Sequence, residues 1–198
     1  MEDEGGDYYK GKHYMNSKER YPPAVGKVVA IYDYTDEEGK VLFQVLRYNP
    51  KAFRNRRQDG HGGWIWNLDG VRPVVYRLRD VIKANTVLIL EGEKDVETTY
   101  RLGLPDGWAA TCNPFGAAQW HSEYSEVLRG KRVVICPDTD VAGQLHLKQV
   151  VRNLVGKVSE IWMVILPGSV KDLTEWAEAG GTPEQFAALL QGAKRFNY

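Results

Sequence analysis

The sequence predicts an α/β fold: a parallel sheet flanked by helices, preceded by a smaller, mainly antiparallel β (α+β) subdomain. Three observations carry that expectation. From Thr86 onward, short apolar runs alternate with amphipathic stretches, which calls for strands joined by crossover helices. Upstream, β-rich runs are punctuated by Asp and Gly turns and show no helical period. Two of the later apolar runs end in acidic clusters, Glu91-Gly92-Glu93-Lys94-Asp95 and Asp138-Thr139-Asp140-Val141-Ala142-Gly143. Loops at the carboxyl ends of parallel strands line the ligand crevice of such a sheet.

Residues 1–26 carry Gly5-Gly6, Tyr8-Tyr9 and Pro22-Pro23 with neither hydrophobic period, so they read as an irregular lead-in. A β-rich, basic subdomain is expected over 27–84. Runs 28–34 and 41–47 flank a polar, Gly-containing turn and make a hairpin. A polar loop, 49–63, follows, then short strands at 64–66 and 74–76 around a turn at Asp69-Gly70. The α/β domain is expected over 85–198. Strand 87–90 leads to a helix over 96–102, which Gly103 and Pro105 stop. Strand 108–112 and helix 122–128 come next. Strand 132–136 feeds a helix over 142–154, where Leu147, Val150, Val151 and Leu154 fall at i, i+3, i+4 and i+7 and mark a buried face. Strand 161–166 precedes closing helices at 172–179 and 183–190, the second with Thr182 as N-cap and Pro183 in its first turn.

Composition narrows the function classes. A chain of 198 residues, 43% hydrophobic and 26% charged, buries a real core and reads as soluble and globular. Its longest apolar run, 161–166, is far short of the roughly 20 residues of a membrane span, and the acidic start is no signal peptide, so a cytoplasmic protein without a membrane partner is expected. Cys112 and Cys136 have no companions at zinc spacing and read as buried free thiols. The formal net charge is zero, so any affinity for nucleic acid must be local. One basic stretch meets that need: Arg47 to Arg79 holds eight Lys or Arg residues against Asp59 and Asp69.

The acidic clusters point to metal-assisted phosphate chemistry. Several carboxylates in one place require cations, and oxygen-only ligands suit Mg²⁺ or Mn²⁺. Glu91, Asp138 and Asp140 are the candidate ligands. Gly92 leaves room beside the first of them, and Gly143 lets the second loop curl. Lys94 stands where a lysine meets phosphate near a helix start, while Asp95 reads more readily as a cap than as a ligand. Glu93 is either a supporting carboxylate or an exposed one. Lys171-Asp172 follows the last parallel strand, with Asp172 either a further ligand or a helix cap. Arg47, Lys51, Arg54, Arg56, Arg57 and Arg77, with Phe53, Trp64 and Trp66 nearby, are cations for phosphates beside rings for bases. The four histidines are scattered and suggest no chemistry.

An apolar strand ending in Glu-Gly before a helix, and a later one ending in Asp-x-Asp-x-x-Gly, resembles the TOPRIM domain shared by bacterial-type primases, topoisomerases and some nucleases. Residues 86–186 carry the likeness, above all to phage and plasmid primase-helicases, where Glu-Gly-Glu-Lys-Asp and Pro-Asp-x-Asp-x-Ala-Gly recur. The stretch 32–78, with Tyr-Asp-Tyr-Thr-Asp, an Arg-rich loop and Val-Tyr-Arg-Leu, is similar to the segment that precedes TOPRIM there.

The resemblance implies a primase-like nucleotidyltransferase core that makes oligonucleotide primers on single-stranded DNA from nucleoside triphosphates. By it, Glu91, Asp138 and Asp140 hold Mg²⁺ or Mn²⁺ and, with Lys94, carry catalysis. Asp172 joins as a further ligand, and Lys171 joins the basic residues in nucleotide or template contact. A replicative helicase is a further expected partner. The alternatives left open are a TOPRIM nuclease or phosphoesterase and a noncatalytic nucleic-acid-binding module. The chain lacks the cysteine set of a zinc module and the Gly-x-x-x-x-Gly-Lys-Ser/Thr loop of a helicase.

Overall fold

A computed structural model describes residues 26–116 and 119–196. The lead-in expected over 1–26 lies outside the described residues apart from Gly26. The chain divides into two compact units, one holding residues 26–31 and Phe43–Val71, the other Tyr32–Leu42 and residues 72–196.

A four-stranded sheet runs in the order β1 (Lys27–Thr35), β2 (Val41–Asn49), β3 (Ala52–Gln58) and β4 (Trp64–Ile65). The β1–β2 turn is built by Asp36, whose Oδ1 accepts the backbone N–H groups of Glu38 (3.1 Å) and Lys40 (2.8 Å). Such Asx bonding explains an Asp at that position. The polar loop expected over 49–63 is overturned over 52–58, which is a strand. It pairs antiparallel with β2, Gln44 opposite Arg56 and Leu46 opposite Arg54. Charged residues masked the signal. Arg56 finds a partner across the sheet, its Nε donating to Gln44 Oε1 at 2.7 Å.

The segment 74–76, expected as a strand, is buried but joins no sheet. Its polar groups bond to β6 (Trp108–Thr111) and the residue after it instead. Tyr76 N–H donates to Cys112 O (2.9 Å), and Thr111 Oγ1 donates to Tyr76 O (2.6 Å). A short helix the sequence reading missed, α1 (Leu78–Lys83), follows Arg77, which adopts φ 54°.

The remaining elements are β5 (Thr86–Ile89), α2 (Glu93–Leu102), β6, α3 (Ser122–Val127), β7 (Arg132–Ile135), α4 (Val141–Leu154), β8 (Glu160–Met163), α5 (Leu173–Glu178), α6 (Pro183–Gln191) and β9 (Lys194–Arg195). They form a five-stranded sheet in the order β6-β5-β7-β8-β9, parallel except for β9, a two-residue edge strand absent from the sequence reading. Val87 to Leu90 and Val133 to Ile135 are buried almost completely, as central strands covered on both faces must be. Each such aliphatic side chain contributes about 1.5–3 kcal/mol. The expected α4 face is the buried one, and α6 carries a full capping box, Thr182 with Gln185, and Pro183 in its first turn. Cys112 and Cys136 are buried free thiols. Among the described residues no helix is long and apolar enough to cross a membrane.

Candidate active site

The two acidic motifs end neighbouring strands. In the parallel register Ile89 of β5 pairs with Ile135 of β7, so Glu91 and Asp138, a few residues on, emerge side by side. The backbone N–H of Asp138 donates to Glu91 Oε1 at 3.4 Å. Gly143 makes the approach possible. A Cβ there would lie 2.2 Å from Asp138 O and 2.7 Å from Glu91 Oε1, so no side chain fits. Gly92 is different: its φ of −140° is open to any residue, and a Cβ would meet nothing nearer than Asp95 Oδ2 at 3.6 Å. Neither a positive φ nor crowding therefore requires a glycine at 92.

Asp140 is the N-cap of α4, its Oδ1 accepting the N–H of Gly143 at 2.9 Å. Asp172 caps α5 in the same way, through the N–H of Glu175 at 2.8 Å. Between them lies Lys171, whose Nζ is 3.3 Å from Asp140 Oδ2 and 3.7 Å from Asp138 Oδ2. Thr139 fastens the two loops together, donating from its backbone N–H to Lys171 O (2.8 Å) and from its hydroxyl to Val170 O (2.8 Å).

Charge in this corner is one-sided. Burial pushes the Asp138 carboxyl up to about 7, and the carboxylates of Glu91, Asp95 and Asp172 push the same way against Lys171. Burial also raises Glu91, with the Asp138 N–H pulling back and Asp140 adding to the rise. Asp95 is raised by burial too. Asp140 goes down, chiefly through its cap bond to Gly143. A hard divalent cation is what such a set of oxygens takes. The donor chemistry and the surplus of negative charge fit one, although among the described residues no three His, Cys, Asp or Glu side chains converge on a single point.

Two further acidic residues turn inward. Asp95, read from sequence as a cap, is buried in the first turn of α2, whose N-cap is Gly92. Its Oδ1 accepts the N–H (3.0 Å) and the hydroxyl (2.6 Å) of Thr174 on α5. Glu93 is buried as well, its Oε1 accepting the hydroxyl of Tyr34 at 2.8 Å. Neither partner was legible, since both lie far away in sequence. Lys94 points outward and pairs with Glu178 at 2.6 Å, so it does not join the carboxylates of the crevice.

The basic residues fall into two groups. On the first sheet, Arg54, Arg56 and Arg57 lie on β3, Arg47 on β2 and Lys51 between them. Arg56 stacks on Trp64 with 3.7 Å to the ring centre, and Arg47 lies 5.8 Å from the Phe53 ring. In the second unit, Arg77 is held by Glu97 (3.0 Å), Asp80 (3.2 Å) and the ring of Tyr100 (3.8 Å).

No protein-family model matches the chain, and no curated protein matches it. Solved structures do. The chain is similar to a structure of bacteriophage T7 lagging-strand DNA polymerase interacting with primase domains bound to an RNA/DNA hybrid and dTTP, with a TM-score of 0.61 and 19% identity over 84% of this chain and 78% of that one. It is similar to the E. coli primase catalytic core, with a TM-score of 0.60 and 19% identity over 83% of this chain and 52% of that one. The zinc-binding and RNA polymerase domains of Aquifex aeolicus primase give 0.64 and 16% over 84% and 40%. The chain thus spans about half or less of the two bacterial chains. At these identities the likeness is one of fold: the chain has the architecture of DNA primase catalytic cores.

Proposed function

We propose that this chain is the core of a primase-like nucleotidyltransferase of TOPRIM type, joining nucleotides into short primers on single-stranded DNA with Mg²⁺ or Mn²⁺ as cofactor. One observation carries the reading: two acidic motifs 47 residues apart in sequence come together where adjacent parallel strands end, the backbone N–H of Asp138 donating to Glu91 Oε1 at 3.4 Å, in a fold shared with primase cores. Glu91 and Asp138, with Asp140 and Asp172 at the rim, are the residues that would hold the cation. What the cation supplies when bound is a lowered pKa for the attacking hydroxyl and neutralisation of the departing pyrophosphate.

The chain's own groups do the positioning. Lys171 balances Asp138 and Asp140 in the free protein, and its ammonium stands where a nucleotide phosphate is to be received. Lys94, partly exposed and paired across the surface with Glu178, exchanges that partner for phosphate at low cost. Arg47, Lys51, Arg54, Arg56 and Arg57 grip the phosphates of the template, with exposed Phe53 and half-buried Trp64 beside them for bases. We assign Arg77 to holding α2 through Glu97. Segment 27–84 supplies the basic surface and segment 85–198 the acidic site, in the cytoplasm, with nucleoside triphosphates, template and a replicative helicase as partners. Neighbouring structures bound to single-stranded DNA or to an RNA/DNA hybrid and dTTP support that choice of partners.

The test is direct. Purified protein is incubated with labelled nucleotides, single-stranded DNA and Mg²⁺ or Mn²⁺, and the products are resolved by length. Oligonucleotides longer than the input are expected. Shortened DNA would instead identify a nuclease built on the same carboxylates, and unchanged substrates a binding module.

A further inference from the structure

The helix that carries the first acidic motif has no cap of its own. Gly92 occupies the N-cap position of α2 and has no side chain to bond the first turn. What fixes that turn is bonding from outside. Asp95 is tied to Thr174 on α5. Glu93, the first helical residue and two positions from Glu91, is tied to Tyr34 near the end of β1, in the part of that strand that belongs to the same compact unit. Tyr34 is wholly buried, its ring 5.2 Å from that of Tyr76 and its hydroxyl 3.9 Å from Cys112 Sγ as well as 2.8 Å from Glu93 Oε1. One turn on, Tyr76 donates its hydroxyl to Glu97 at 2.9 Å. Two phenols thus hold two carboxylates, i and i+4, along one side of α2.

We infer that Tyr34 is a positioning residue for the acidic crevice: its hydroxyl fixes Glu93, and through the first turn of α2 it sets where Glu91 sits against Asp138. A buried carboxylate is expensive to leave short of donors, so the 2.8 Å bond from the phenol helps to set where the Glu93 side chain lies. The Glu91-Gly92 link has little freedom to absorb a shift, since Glu91 is already against the Asp138 backbone and the space reserved by Gly143. Tyr76 makes a bond of the same type, yet its carboxylate lies a full turn farther from Glu91. The two hydroxyls therefore have different jobs. The inference rests on the metal role proposed for Glu91 and Asp138.

The experiment compares Tyr34→Phe with Tyr76→Phe, each of which deletes a single buried hydroxyl and keeps the ring. Mn²⁺ affinity is measured by calorimetry on the full chain without nucleotide, and primer synthesis separately. Loss of a group that orients a metal ligand costs about tenfold or more in affinity. Tyr34→Phe is expected to weaken Mn²⁺ binding about tenfold and to lower kcat with little change in nucleotide KM, while Tyr76→Phe leaves both within about twofold. In a Glu93→Gln background, the further change on Tyr34→Phe should shrink to less than about twofold, because the two groups act as one unit. The inference is overturned if Tyr34→Phe binds Mn²⁺ like the parent, if Tyr76→Phe is equally impaired, or if the two losses at Tyr34 and Glu93 simply add. A parent that binds no Mn²⁺ also overturns it. A parent that binds Mn²⁺ with the expected dependence on Tyr34 but makes no primers upholds the inference and removes only the primase reading.

Discussion

Gly143→Ala puts the packing of the crevice to the test. In a helix, Ala is favoured over Gly by about 1 kcal/mol, and Gly143 has no positive φ to demand glycine. Propensity alone therefore predicts a more stable protein. The structure predicts the opposite for function. The added methyl would sit 2.2 Å from Asp138 O, 2.7 Å from Asp138 C and 2.7 Å from Glu91 Oε1. Two of those atoms are backbone and do not rotate away. Relief requires the start of α4 and the Asp138 loop to separate by on the order of 1 Å, and misplacement of that size in a reacting centre costs about 10²-fold in rate. Overpacking costs about 1–3 kcal/mol, which the propensity gain partly offsets. The net loss of about 0–2 kcal/mol lowers Tm by a few degrees in a chain of this length. Primer synthesis with saturating nucleotide and thermal unfolding, measured on the same preparation, give both quantities. Gly92→Ala is the control for crowding, since its methyl meets nothing closer than 3.6 Å and it should keep activity, its cost being only that of Ala for Gly at an N-cap, about 1 kcal/mol or less. A Gly143→Ala protein with parental activity would refute the claim that Glu91 and Asp138 must approach so closely.

Glu91→Gln preserves size but removes charge, so turnover is expected to fall by orders of magnitude and no nucleotide concentration should restore it; a Lys94→Ala protein, by contrast, should regain part of its rate as nucleotide is raised. Arg54, Arg56 and Arg57 replaced together by Ala should flatten the salt dependence of single-stranded DNA binding, by roughly 0.7 in slope for each phosphate no longer neutralised; an unchanged slope in a binding titration would free β3 of that role. Between pH 4 and pH 7, Asp138 and His146 pull the stability of the metal-free protein in opposite directions, and Glu91 and Asp95, both raised by burial, add to the Asp138 side. Asp138 takes up its proton more readily folded than unfolded, so its share of stability is present at low pH and is lost as pH rises from about 4 to about 7, on the order of 2–4 kcal/mol. His146 is buried with neither ring nitrogen bonded, and burial pulls it down to about 4, so its share is present above pH 6.5 and is lost as pH falls to about 4. Relative to the parent, denaturant titrations should find Asp138→Asn losing stability in acid and His146→Leu gaining it; equal profiles for all three would refute the assignment.

Much of the second unit was legible because its signals are local. Val87 to Leu90 and Val133 to Cys136 are apolar without interruption, as central strands must be, and each is followed at once by its acidic motif. Leu147, Val150, Val151 and Leu154 announced their face by spacing alone. What escaped was set by distant partners. β3 is a strand because β2 offers it a ladder and Trp64 a face for Arg56, and a run of arginines carries no sign of that in its own sequence. Asp95 and Glu93 sat in the acidic motif as an expected cap and an undecided carboxylate. Their burial depends on Thr174 and Tyr34, 79 and 59 residues away. β9 is two residues long and is defined only by pairing with β8, below the length at which a strand has a pattern.

The bond between Asp95 and Thr174 also bears on how the molecule comes together during synthesis. A chain emerges from its amino end, and its early part begins to fold before the rest exists. β5, α2, β6 and β7 are therefore available, with Glu91, Asp95 and Asp138 already on them, before Lys171 and Thr174 leave the ribosome. In that interval the carboxylates face one another without their ammonium and without the donors that Asp95 needs. The docking of 171–174 relieves both at once, so this contact should close the sheet's acidic end in one cooperative step, and a nascent chain stalled before residue 171 should hold that end open and remain sensitive to protease.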